Sequence, residues 1–151
     1  MNIPSKIPIH RMEDEHTTHI GRCEDGRQFW GYETFVFDKP VANLHLDGWK
    51  NSRREYIVLH TFDYKGNHLG TKHWFAGTTA NVDSVAALNK LESWVKELGK
   101  VELTDIEIKL FETVIDGFTF GLVQDIDSDS VELQPSSSIS FQEPWEGEYE
   151  A

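Results

Sequence analysis

The sequence predicts one α+β domain, in which a twisted antiparallel sheet of about six to eight strands carries one main helix on one face. Three observations predict this fold. Turns containing Gly26, Gly66 and Gly117 separate segments rich in aromatic and β-branched residues, which is the pattern of β-hairpins. Only residues 84–98 show a convincing helical spacing of apolar residues. A chain of 151 residues with 38% hydrophobic and 12% aromatic content is enough to bury one ordinary core.

The N-terminal part is predicted to be an arm followed by a hairpin. Residues 1–14 contain two prolines and predict an extended arm, so the domain itself is expected to span residues 15–142. Residues 16–22 and 27–37 predict the first two strands. Both faces of the second strand are largely apolar, which indicates a central strand covered at least partly on both sides.

A second hairpin is predicted before the helix. Residues 41–52 form a connection, and residues 54–62 and 68–75 form two strands joined by the turn at Gly66. Residues 76–82 are predicted to be the loop that leads to the helix.

The helix is predicted over residues 84–98, with Asp83 or Ser84 as its N-cap. One stripe of apolar residues, flanked by Val85 and Trp94, is expected to face the sheet: Leu88, Leu91, Val95 and Leu98. Gly99 is expected to end the helix, because glycine readily adopts the left-handed conformation at a helix C-terminus.

Apolar residues alternate with polar ones again after the helix, so further strands are predicted. They cover approximately residues 106–115, 118–124, 131–134 and 139–141. Residues 143–151 are predicted to be an acidic C-terminal tail.

The charge is distributed very unevenly along the chain. The formal net charge is −12, and no lysine or arginine occurs after residue 109. Ten acids follow that point: Glu112, Asp116, Asp125, Asp127, Asp129, Glu132, Glu143, Glu146, Glu148 and Glu150. A surface of one sign attracts the opposite sign and repels its own. This distribution predicts a basic protein partner, and it argues against direct binding to nucleic acid or to an anionic membrane.

Two acidic segments are the candidate interaction residues. The first contains Asp125, Asp127 and Asp129. It begins like an EF-hand loop, but serines occupy the positions where that loop requires glycine and a bidentate glutamate, so a solvated hairpin loop is predicted. The second segment lies in the tail and contains Trp145, Glu146, Glu148 and Tyr149. Its two aromatic rings either anchor a partner or fold back onto the core.

A second candidate site would use residues of the central strands to bind a ligand. Its members are Trp49, Arg53, Arg54, His60 and Trp74. No metal site or cofactor is predicted, because the histidine pairs within single strands have odd separations and therefore point to opposite faces. The sequence contains neither a G-x-S-x-G motif nor a glycine-rich phosphate loop, so a non-enzymatic protein is expected.

The cellular compartment is expected to be the cytoplasm. The single cysteine, Cys23, rules out an internal disulfide. The N-terminus has no signal-peptide pattern, and no apolar run approaches the ~20 residues that cross a bilayer.

Several motifs resemble those of small bacterial proteins known as formate hydrogenlyase regulatory proteins, of the HycA type. The shared segments lie at residues 56–63, 66–69, 74–79, 116–123 and 143–147, and the similarity extends from Ile7 to Tyr149. The resemblance implies a cytoplasmic regulator that lowers expression of formate hydrogenlyase genes. It supplies no active site to transfer to this chain.

Three functional hypotheses follow. The first is a regulatory protein that contacts a basic transcription activator through its acidic C-terminal surface. The second is an immunity protein that neutralises a basic nuclease toxin, where electrostatic attraction would accelerate capture. The third is an enzyme or ligand-binding module that uses the Trp49, Arg53, Arg54, His60 and Trp74 region.

Overall fold

The structure is a computed structural model, and it describes residues 3–13, 16–39, 48–135 and 139–150. Within these ranges the chain forms two helices, α1 (Trp49–Ser52) and α2 (Ser84–Glu97). The strands are β1 (Ile7–Ile9), β2 (His19–Cys23), β3 (Gln28–Phe37), β4 (Arg53–Phe62), β5 (His68–Thr78), β6 (Val101–Leu103), β7 (Ile106–Ile108), β8 (Phe111–Ile115), β9 (Phe118–Asp125), β10 (Ser130–Gln134) and β11 (Ser140–Phe141).

A five-stranded antiparallel sheet forms the middle layer, with strand order β5-β4-β3-β2-β6. Its central strands β3 and β4 pair along their whole length, for example Trp30 with His60. Gly26 lies in the β2–β3 turn with a φ of 93°, a conformation that glycine adopts without the steric cost of a Cβ atom.

A four-stranded antiparallel sheet with order β11-β10-β9-β8 packs on one face of the middle layer. The β8–β9 turn has positive φ at both Asp116 (54°) and Gly117 (84°). In a two-residue hairpin turn, this conformation matches the right-handed twist of the flanking strands. Strands β1 and β7 form a separate two-stranded antiparallel sheet, with Ile7 opposite Ile108.

The main core fills the space between the two larger sheets. Trp30, Tyr32 and Tyr56 from the middle layer meet Phe120 and Leu122 from β9, and all five side chains are almost completely buried. Burial of each large side chain of this kind contributes roughly 1.5–3 kcal/mol. The two sheets are therefore held together by a continuous apolar interface.

Helix α2 covers part of the opposite face of the five-stranded sheet. Asp83 is its N-cap, and its carboxylate accepts hydrogen bonds from the backbone N–H groups of Val85 and Ala86. Ala87 and Leu91 are buried against Ile57. The architecture is thus a helix, a five-stranded sheet and a four-stranded sheet in three layers.

The α+β class and the antiparallel pairing are confirmed, but the prediction of one sheet of six to eight strands was wrong. The strands after residue 110 form a second sheet because their alternating inward residues, such as Phe120 and Leu122, pack face to face on the middle layer. The predicted main helix is α2, and the four-residue α1 was not predicted.

Element bounds agree closely in the centre of the chain and less well near its ends. The helix expected over residues 84–98 spans Ser84–Glu97, and the strand expected over 54–62 spans Arg53–Phe62. The strand expected over residues 106–115 is divided into β7 and β8. The segment predicted to be an arm contains the buried strand β1, and residues 40–47 of the predicted connection lie outside the described residues.

Two residues predicted to lie on or beside the apolar stripe of the helix are exposed instead. Leu88 is 48% exposed and Val85 is 69% exposed. Their side chains extend from the N-terminal part of α2, where Ala87 and Leu91 supply its buried contacts. In the part of the chain that the structure describes, no helix has the length and apolar character needed to cross a membrane.

Candidate functional site

The outward face of the four-stranded sheet carries acidic and small apolar residues. Alternate residues of β8 point away from the core, so Glu112 and Val114 are exposed, and Val114 is exposed to 68%. On the neighbouring strands, Thr119 is exposed and Glu132 is partly exposed. The register places Val114 opposite Thr119 and Glu132 opposite Val123. This face therefore presents carboxylates and small apolar groups together.

Within the described residues, the carboxylates of the C-terminal part form almost no ion pairs with lysine or arginine. All ten acids after residue 109 lie in described parts of the chain, and only Asp116 forms an ion pair with a lysine or arginine there. Its partner is Arg54, whose Nη2 lies 3.5 Å from Oδ2 of Asp116. The remaining carboxylates keep their charge available to another molecule.

The turn between β9 and β10 holds the first predicted interaction segment. Asp125 stabilises the turn itself, because its Oδ1 accepts the Asp127 backbone N–H at 3.0 Å and its Oδ2 accepts the Ser128 hydroxyl at 2.8 Å. These bonds hold the pKa of the Asp125 carboxyl below its ordinary value, and the bond from the Asp127 backbone has the largest effect. Asp127 and Asp129 are exposed. The geometry is that of a hairpin loop with two outward carboxylates.

Ile126 at this turn was not among the predicted site residues. Its side chain is 89% exposed, more than any other large hydrophobic side chain of the described residues. The sequence contained a signal that could have identified Ile126. It is a large apolar residue between two aspartates in a predicted hairpin loop.

The tail follows the folded-back alternative for its two aromatic rings. Trp145 and Tyr149 are partly buried against the main core, and the Tyr149 ring lies 5.6 Å from that of Phe141. The backbone is held as well, since the carbonyl of Gly147 accepts the His10 N–H at 2.8 Å. Glu146 and Glu148 remain exposed between these contacts. The tail therefore contributes charge to the surface, and its rings contribute packing to the core.

The five residues of the predicted ligand site do not come together. Arg53 and Arg54 are consecutive in β4 and point to opposite faces of the sheet. Arg54 lies over the Phe75 ring at 4.0 Å and reaches Asp116. Trp74 packs on the helix side, where the Lys90 ammonium lies 5.2 Å from its ring. Trp49 and Arg53 do lie together, with the guanidinium 5.5 Å from the indole ring.

His60 is a core residue and not part of a surface site. It is completely buried, with Nε2 2.9 Å from the Tyr32 hydroxyl and Nδ1 2.7 Å from the Thr71 hydroxyl. Burial lowers the pKa of His60 to about 3, so the imidazole is neutral at physiological pH. Both ring nitrogens are hydrogen-bonded, which explains how the core accommodates the polar side chain.

Metal-ligating clusters and similarity to known proteins are the two remaining indications of function. No group of three or more His, Cys, Asp or Glu residues within the described ranges is arranged to hold a metal ion. Comparison with protein-family models, with curated proteins and with solved structures finds no match to this chain.

Proposed function

We propose that the protein is a non-enzymatic cytoplasmic regulator that binds a basic protein partner through the outward face of its four-stranded sheet and the β9–β10 turn. The observation that carries this proposal is the set of C-terminal carboxylates, of which only Asp116 has a lysine or arginine partner among the described residues. These carboxylates produce a negative potential that the protein does not neutralise by itself. Such a potential attracts a cationic surface and accelerates the encounter with it.

The surface also offers apolar contacts, which charge alone does not provide. Ile126 extends from the acidic turn, and Val114 lies on the sheet face beside Glu112. Interfaces derive much of their affinity from a few well-packed side chains within a polar rim. Charged groups would thus orient the partner, and the apolar side chains would hold it.

The type of partner follows from charge and from the resemblance of the sequence motifs. A surface of this sign repels a phosphate backbone, so direct operator binding is disfavoured. The resemblance to formate hydrogenlyase regulatory proteins of the HycA type supports a role in regulation, and a basic transcription activator is the partner most consistent with the charge.

An affinity experiment with charge-neutralised variants tests the proposal. The variant combining Asp127→Asn, Asp129→Asn and Glu132→Gln should lose capture of a basic partner at about 0.1 M salt, where exposed charges still interact over about 10 Å. Capture by the unmodified protein should weaken at about 0.5 M salt for the same reason. Asp125 is left unchanged because it stabilises the turn.

The matched control removes the same charge elsewhere. Glu24→Gln, Glu97→Gln and Glu102→Gln replace exposed acids of the β2–β3 turn, α2 and β6. Glu24 and Glu97 form exposed ion pairs, which contribute little to stability. This control should retain the partner. Equal loss of binding in both variants would show that net charge, and not the proposed surface, determines capture.

The identity of the partner separates regulation from the immunity hypothesis. A basic nuclease whose activity the protein inhibits would favour an immunity protein, whereas a transcription activator would favour a regulator. Capture of neither, with binding that is insensitive to salt, would contradict both hypotheses.

A further inference from the structure

A cleft lies between α2 and the part of the five-stranded sheet that the helix leaves uncovered. Its volume is about 620 Å³, within the range of roughly 300–1,000 Å³ that is typical of small-molecule sites. Phe35 and Ile57 of the sheet line it, and so do Leu88 and Leu91 of the helix. The exposure of Leu88, unexpected from the helical pattern, is explained by its position in the wall of this cleft.

Arg53 is held rigidly at the cleft. Its Nε donates to Oε2 of Glu55 at 3.0 Å, and the same oxygen accepts the Thr79 hydroxyl at 2.8 Å. The guanidinium lies 3.9 Å above the centre of the Phe35 ring. Glu55 is only 5% exposed, so the acceptor is fixed within the protein. These contacts orient the guanidinium before any ligand binds.

The same contacts leave the two terminal amino groups of the Arg53 guanidinium available. Only Nε of the guanidinium is hydrogen-bonded within the described residues, and the two terminal amino groups retain their donors. Two parallel N–H groups of a guanidinium match the two oxygens of a carboxylate. A fixed arginine in a partly apolar cleft is therefore suited to a carboxylate ligand.

The charges around the cleft select the rest of the ligand. Among the described residues that line it, two are arginines and three are glutamates, an excess of one negative charge when histidines are neutral: Arg11, Arg53, Glu13, Glu33 and Glu55. A dianion such as inorganic phosphate is disfavoured in these surroundings. A molecule with one carboxylate and one cationic group fits them better, and the leucine and isoleucine side chains favour an apolar body.

We propose that this cleft binds an apolar α-amino acid as a zwitterion. Its carboxylate would bind the terminal amino groups of Arg53, its ammonium group would lie among the glutamates, and its side chain would pack on Ile57, Leu88 and Leu91. The site is separate from the acidic surface, because α2 and the four-stranded sheet cover opposite faces of the middle layer. It adds a small-molecule ligand to the proposed regulatory function and does not depend on that function.

Calorimetric titration with a matched set of ligands tests the chemical class. L-Phenylalanine and L-leucine should bind, whereas L-phenylalaninamide lacks the carboxylate and N-acetyl-L-phenylalanine lacks the ammonium group. Each derivative should bind at least about tenfold more weakly than phenylalanine, a difference that corresponds to about 1.4 kcal/mol. Absence of binding by both amino acids, or equal binding of either derivative, would overturn the proposal.

Two variants locate the site, each with a control on a nearby element. Arg53→Lys preserves the charge but removes the paired N–H donors of the guanidinium, and it should weaken phenylalanine binding about tenfold. Arg54→Lys, on the opposite face of the sheet, should not. Leu88→Trp should fill the cleft and abolish binding, whereas Val85→Trp changes an exposed residue of the same helix outside the cleft lining and should leave binding intact.

Amide NMR spectra establish that each variant remains folded. If the two cleft variants are folded and bind phenylalanine as the unmodified protein does, the proposed location is wrong. The same conclusion follows if the control variants lose binding to the same extent. Capture of a basic partner by Leu88→Trp should be unchanged, which separates failure of this proposal from failure of the regulatory one.

Discussion

The Tyr32 hydroxyl lies 2.9 Å from Nε2 of His60, and both side chains are enclosed in the core between the two larger sheets. Thr71 continues the network on the other side of the imidazole and also lies 2.8 Å from Nε2 of His68. A hydrogen-bonded chain thus crosses β3, β4 and β5 within an otherwise apolar layer. Its polar atoms contribute to stability only while each has a partner.

Tyr32→Phe is expected to destabilise the protein even though the aromatic ring is retained. The change removes the hydroxyl and leaves Nε2 of His60 buried without a partner, which costs about 1–3 kcal/mol. Urea unfolding measures the difference in the free energy of unfolding. Tyr64→Phe is the control, since Tyr64 is exposed and should change stability little. Equal stability of Tyr32→Phe and the unmodified protein would contradict the assignment of this hydrogen bond.

Stability should fall as the pH decreases from about 6.5 toward 4.5. Burial lowers the pKa of His60 to about 3 and also lowers the pKa of His68, so the unfolded chain binds more protons than the folded one in this window. The stability that each histidine contributes is fully present above its pKa in the unfolded chain. It is lost as the pH falls toward the lower pKa of that histidine in the folded protein. For His60 the loss approaches about 1.4 kcal/mol per pH unit.

The contribution of His60 can be isolated by replacing it. His60→Gln should reduce the slope of unfolding free energy against pH between about 6.5 and 4.5, whatever its effect on stability at neutral pH. Urea unfolding at several pH values measures both slopes. An unchanged slope in this variant would show that His60 does not remain neutral in the folded state.

Gly121→Ala should be strongly destabilising, whereas Gly70→Ala should not. Gly121 has a φ of 143°, and a Cβ at this position would collide with the Phe111 carbonyl oxygen and lie 2.8 Å from Cα of Glu112. We expect a loss of about 2–4 kcal/mol, from backbone strain and from separation of β8 and β9. Gly70 has no neighbouring atom within 4 Å of such a Cβ and serves as the control. Thermal unfolding of both variants provides the comparison.

Features determined by local chemistry could be predicted from the sequence. The turn at Asp116 and Gly117 requires two residues that tolerate positive φ, and the structure shows that conformation at both. The helix beginning after Asp83 was recognisable from its cap and its spacing. The division into two sheets was not recognisable, because alternation shows that a strand has one buried face and does not show which partner covers it.

The arrangement of the candidate sites could likewise be predicted from the sequence only in part. Strand alternation alone could have separated Arg53 from Arg54 as members of one pocket. The partners of His60 could not be read in this way, since Tyr32 and Thr71 lie on neighbouring strands whose register is a property of the folded sheet. The cleft at Leu88 depends on how far α2 extends over the sheet, and this distance has no local signature in the sequence.

Ile126→Ser is expected to weaken partner binding without reducing the stability of the protein. The side chain is 89% exposed, so its loss removes little buried area within the chain. If it packs into the partner, the loss should be about 1–2 kcal/mol and should appear mainly as faster dissociation, at low and high salt alike. Neutralising Asp127 and Asp129 should instead slow association and reduce the dependence on salt. Surface plasmon resonance with the captured partner distinguishes these effects.

Leu69→Ser is the control, because Leu69 is 56% exposed on β5 of the other large sheet and should not alter binding. Loss of binding only in the Leu69 variant would place the interface on the five-stranded sheet and contradict the proposed surface.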